Sequence, residues 1–147
     1  MAGTQNTRNK ELVRHLLTEV WQRKNVDAVD ELFSEDVLVG GTRTSTGDRT
    51  IRRDDLKEIF REWLEAFPDA SVESHALLAE HDAVVSFATL HGTHEGAFRG
   101  VSPTHEPVEM RAFALYRIRD GRVVEYTAIG ELLKLMEQLE SERPLDA

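Results

Sequence analysis

The sequence contains no cysteine, which removes disulfides, thiol nucleophiles and thiolate metal ligands together. Positive charge is also scarce: 18 Lys and Arg stand against 27 Asp and Glu, a net charge of −9. A phosphate-binding surface needs clustered cations. Here Arg8, Lys10, Arg14, Arg23 and Lys24 are diluted by Glu11 and Glu19, so no nucleic-acid partner is expected. No apolar run approaches the roughly 20 residues that span a bilayer, so no membrane partner is expected either. The opening MAGTQNTRNKEL lacks the apolar centre of a secretory signal, and the reading is a soluble cytoplasmic protein. No internal repeat or second domain is visible. One domain over residues 1–147 is expected, 40% hydrophobic and long enough for a real core, with flexible tails at about 1–7 and 141–147.

What is present is periodic. Leu12, Val13, Leu16, Leu17, Val20 and Trp21 form one apolar stripe, predicting a helix from about Arg8 to Lys24 with Asn25 as its stop. Asp27 is placed to cap a short second helix through Phe33, and a brief strand follows near Val37–Val39. Gly40 to Thr50, GGTRTSTGDRT, has no hydrophobic period and reads as a loop. Leu56, Ile59, Phe60, Trp63, Leu64 and Phe67 predict a third helix, capped by Asp54 or Asp55 and ended by Pro68. Strands are expected over Ser71–Ala79, Ala83–His91, Val108–Arg119 and Arg122–Ile129. Their turns fall at His81-Asp82 and at Asp120-Gly121, the latter a strong hairpin signal. Leu132, Leu133, Leu135, Met136 and Leu139 form a closing helix. Helices, then consecutive antiparallel strands, then a helix give an α+β domain: a curved antiparallel sheet wrapped around N-terminal helices.

The stretch His91-Gly-Thr-His-Glu-Gly-Ala-Phe-Arg-Gly100 holds two histidines and a glutamate within five residues. A helical zinc motif needs HExxH, with both histidines on one face. Here the histidines are three apart, which in a strand sets them on opposite faces. No metal site is expected. The stretch reads as a strand end, a glycine-rich bend and a short return through Phe98.

GTHEGAFRGVSPT resembles the "GTHxGxFxGxPPT" signature of the SnoaL-like polyketide cyclases, also called ester cyclases, within the nuclear transport factor 2-like superfamily. ELVRHLLTEVWQRKNVDAVDELFSEDV is similar to the family's opening helices, and LKEIFREWLEAFPD to its third. YRIRDGRVVEYTAIGELLKLMEQL is similar to its closing hairpin and helix. Together these cover nearly the whole chain in order. The resemblance implies a cone-shaped α+β barrel with a deep pocket, dimerised through its sheet, that takes a small apolar ligand without a cofactor. His94 then corresponds to a structural hairpin residue.

In the polyketide cyclases a carboxylate on the last strand removes an acidified C–H proton, so that an enolate closes a ring, and a neighbouring histidine assists. The resemblance places the base at Ala128, where the family reads "GxIVExWD", and the histidine at Ala114, where it reads "GIHIFR". Such catalysis needs a base of tuned pKa in a dry cavity. Strand parity sets Met110, Ala112, Ala114 and Tyr116 on one face and Val124, Tyr126 and Ala128 on one face of the next strand. Their only polar side-chain atoms are two tyrosine hydroxyls. Tyr126 is the candidate catalytic contact. Trp63 and Phe67 belong to a helix that commonly faces the pocket. Glu125 has the opposite parity and reads as ion-paired, Glu131 as a helix-terminal charge, and His15 as a surface residue. Three functions stay open: a cofactor-free cyclase or isomerase for an apolar polyketide-like substrate with altered catalytic groups; an epoxide hydrolase of the limonene type, needing an Asp–Arg–Asp set that only Arg111 and Asp48 could approach; and a binding protein that has lost catalysis.

Overall fold

The computed structural model describes residues 2–41 and 48–140. The first apolar stripe forms α1 (Ala2–Leu16), which starts earlier than the periodicity suggested and continues into a π-helical turn over Leu17–Gln22. That turn is defined by Arg23 N–H donating to Thr18 O at 2.9 Å. It ends at Lys24, whose φ of 60° reverses the chain one residue before the expected stop. A 3₁₀ turn (Val26–Ala28) leads into α2 (Val29–Leu32). Asp27 does not cap it; its carboxylate lies 3.4 Å from the Lys57 ammonium instead.

β1 spans Phe33–Gly41 and β2 Arg49–Arg52, so part of the expected Gly40–Thr50 loop is a strand; residues 42–47 lie outside the described residues. α3 (Arg53–Ala66) buries Leu56, Phe60, Trp63 and Leu64, the predicted stripe. Arg52 occupies its cap position without a side-chain bond, while Asp54 and Asp55 sit in the first turn. There they complement the helix dipole rather than cap it. β3 (Ser71–Glu80), β4 (Ala83–Thr93), β5 (Pro107–Arg119) and β6 (Arg122–Gly130) follow, then α4 (Leu132–Glu140). The Asp120–Gly121 turn has φ of 52° and 75°, the doubly positive conformation of a tight type I′ hairpin.

The sheet has six strands in the order β2-β1-β6-β5-β4-β3. It is mixed, not wholly antiparallel as expected, because β1 runs parallel to β6. Nor does it close into a barrel: β2 and β3 are free margins. Period-2 burial along β5 separates an inner face of Val108, Met110, Ala114, Tyr116 and Ile118 from an outer face of Glu109, Arg111 and Phe113. The inner face shares one hydrophobic core with Val13 and Leu16 from α1, Val20 and Trp21 from the π turn, and Phe60 and Trp63 from α3. Each such fully buried side chain contributes roughly 1.5–3 kcal/mol of transfer free energy.

Candidate functional site

The concave face of the sheet is built in rows. Val39, Tyr126, Tyr116 and Val84 lie side by side across β1, β6, β5 and β4. The next row is Gly41, Ala128, Ala114 and Ser86, and the one beyond it is Gly130, Ala112 and Ala88. Two adjacent rows thus carry almost no side chain. Gly41 is required there: its φ is 77°, and a Cβ on it would stand 1.8 Å from the Ala128 carbonyl oxygen.

Bulky groups close this hollow. Tyr116 and Tyr126 stack at 5.2 Å between ring centroids, and Tyr126 also meets Phe60 at 5.7 Å. From the other side the π turn contributes Leu17 and Trp21. An i→i−5 turn rotates its side chains relative to the preceding α-helix, a device frequent at functional sites. What remains is a cavity of about 30 Å³ bordered by Leu17, Trp21, Ser86, Ala114, Tyr116 and Tyr126, together with Val72, Ala88, Leu90 and Ala112. That is the space of one water molecule, far below the several hundred Å³ of a ligand pocket. A ligand therefore fits only if part of the lid of side chains yields.

The sequence-predicted residues divide accordingly. Ala112, Ala114, Tyr116 and Tyr126 border the cavity. Met110 and Ala128 are buried on the same face without bordering it. Val124 is displaced: a bulge pairs Ile118 with Val123 and Arg117 with Glu125, so Val123 turns into the core and Val124 becomes the extra residue. Trp63 and Phe67 are buried too, but against the β4–β5 connection, with Phe98 at 4.8 and 5.4 Å. Ser86 is the residue that sequence reasoning missed. Its strand, AVVSFATLH, is apolar on both faces, so parity alone could not show that this hydroxyl points inward.

The charged groups lie elsewhere. Arg111 and Glu131 form a two-pronged ion pair at 2.9 and 2.8 Å beside α4; the guanidinium holds the Glu131 carboxyl down at about 2. Glu125 pairs with Arg117 at 3.2 Å, and His15 is exposed. His91 lies among Glu73 at 3.1 Å and Glu109 at 3.7 Å. His94, by contrast, is fully buried. Its Nδ1 accepts the Thr104 backbone N–H at 3.1 Å, and its Nε2 is buried with no hydrogen-bond partner among the described residues. Burial pushes the His94 pKa down, so the imidazole is a neutral brace for the connection. The two histidines serve different partners. Among the described residues no three His, Asp or Glu side chains are grouped to hold a metal ion, and no helix is long and apolar enough to cross a membrane.

The profile of the SnoaL-like polyketide cyclases matches residues 11–139, and the chain belongs to that family. Solved structures agree. A candidate SnoaL-like polyketide cyclase from Jannaschia sp. CCS1 is 27% identical, superposes with a TM-score of 0.85 and shares 95% of each chain. IdmH, a candidate polyketide cyclase from Streptomyces antibioticus, is 25% identical with a TM-score of 0.76, over 89% of this chain and 97% of that one. AclR, a candidate hydroxylase from Streptomyces galilaeus, is 26% identical with a TM-score of 0.80, over 95% and 85%. A search among curated proteins returns no significant match.

Proposed function

We propose that the protein is a cofactor-free cyclase or isomerase for a small, apolar, polyketide-like substrate, acting through hydroxyl groups instead of a carboxylate base. One observation carries this reading: the described cavity wall offers the hydroxyls of Ser86, Tyr116 and Tyr126 and no carboxylate, imidazole or guanidinium. Where the resemblance puts a base and its histidine, this chain has the paired alanines Ala128 and Ala114. A substrate that is already enolised needs no strong base. Holding its enol carbon against the acceptor carbonyl supplies orientation, and a hydroxyl donor on the acceptor oxygen stabilises the charge that develops there. The enol proton leaves to water, and the new alkoxide gains one.

The test compares an enolised 1,3-diketone substrate with a simple ester of the same size. Ring closure should be accelerated for the diketone alone, and Tyr126→Phe should lower kcat/KM about 10²-fold, as loss of one such donor does. Rapid exchange of the ester's α-proton would reveal a strong base and sink the reading. The same wall also suits a binding protein without catalysis, which would hold both compounds and turn over neither. An epoxide hydrolase is disfavoured, since Arg111 is engaged by Glu131.

We also read the working form as a cytoplasmic homodimer. Its support is an apolar patch on the outer sheet face, where Phe113 is 55% exposed and stacks on Phe87 at 4.6 Å. Ile129 and Leu78 are exposed on the outer face as well.

A further inference from the structure

We infer that Ser86 is the specificity-determining contact of this cavity, donating a hydrogen bond to a carbonyl oxygen of the bound compound. The inference rests on the proposed small-molecule pocket and names the group within it that reads the ligand. Ser86 is only 3% exposed, borders the cavity, and makes no hydrogen bond to any described residue. Its oxygen is not among the sealed side-chain atoms that lack a partner; it opens onto the cavity, where one water has room to take its hydrogen bond.

Ser86 pairs with Leu77 on one side and Ala114 on the other, and Ala88, two residues on, is an alanine on the same face. Alanine at position 86 would keep the packing and remove the hydroxyl. A hydroxyl kept on a cavity wall beside Ala88, Ala112 and Ala114 is therefore placed for something that enters the cavity. These small residues leave room for a flat ring edge, and the hydroxyl marks where an oxygen on that ring must fall. A ketone fits this arrangement; a pure hydrocarbon leaves the hydroxyl unpaired.

The probes are 1-indanone and indane, which share a skeleton and differ by the carbonyl. Equilibrium titration of the full chain should show indanone bound about tenfold more tightly than indane. Ser86→Ala should bring that ratio to about one with indane affinity held, and Ser86→Thr should retain it. Carbonyl-labelled indanone should show a lowered C=O stretching frequency when bound to the wild type and not when bound to Ser86→Ala. If neither probe binds the wild type, the pocket reading fails and this inference with it. If both bind but Ser86→Ala keeps the tenfold ratio, the Ser86 assignment alone is overturned.

Discussion

Placing a carboxylate back at position 128 measures how dry the inner face is. Ala128 is 0% exposed, lies opposite Ala114 and is pressed from the β1 side by Gly41. Full burial raises an aspartate pKa by up to about 3–5 units, and each unit is about 1.36 kcal/mol. Ala128→Asp should then lose about 4–5.5 kcal/mol at pH 8 beyond any steric cost, much of a typical domain's stability. Ala128→Asn carries the same bulk without the charge, so the Asp–Asn difference isolates ionisation. The sign follows from linkage. The folded pKa lies above the unfolded value of about 3.9, so the penalty is absent below that pH. It grows as the unfolded chain ionises, and it levels off above the folded pKa. With a urea slope of about 2 kcal/mol/M, the two variants should unfold about 2 M or more apart at pH 8 and together at pH 4. Adding Ala114→His alongside the aspartate should recover part of the loss by supplying a partner. Midpoints within about 0.5 M of each other at pH 8 would mean that water or a cation reaches position 128, and the dry-wall argument would fail.

Two further outcomes follow from other parts of the molecule. His94 has a folded pKa below the ordinary value, through burial. Its contribution is therefore present above about pH 6.5 and lost as pH falls through the folded value. His94→Asn keeps an acceptor for Thr104 but cannot titrate, and should flatten the fall in stability on the acid side of about pH 6.5; an unchanged slope would clear His94 of the effect. Phe113→Lys puts a charge into the exposed outer patch and should convert a dimer to a monomer in sedimentation equilibrium, whereas an unchanged mass would remove that patch from the interface.

Legibility in the sequence followed how local the cause was. α3 was readable because Leu56, Phe60 and Trp63 share one face and Pro68 ends the pattern. The β5–β6 hairpin was readable because Asp-Gly supplies the positive φ values that the turn needs. β2 was hidden because Arg49–Arg52 buries a single residue, Ile51, and pairs only through β1. The parallel β1–β6 pairing joins residues more than eighty positions apart and leaves no local mark. The bulge that expelled Val124 depends on the register of two strands rather than on either one. On the inner face, parity grouped Ala112, Ala114, Tyr116 and Tyr126, but Ser86 needed the third strand to show which way it faces.

The end of the first helix is hooked to the sheet's margin. Gln22 accepts the Val72 backbone N–H at 2.7 Å, and the Lys24 ammonium donates to the carbonyls of Ala70 and Trp21. Val72 belongs to β3, the outermost strand on that side, whose unpaired backbone is a template for another chain. The same π turn roofs the cavity with Leu17 and Trp21. Whatever swings that turn aside to admit a guest also unhooks Gln22 and bares Val72. In the proposed function the doorway and the guard rail would be one segment, so an empty protein held open would also be prone to stick to its neighbours.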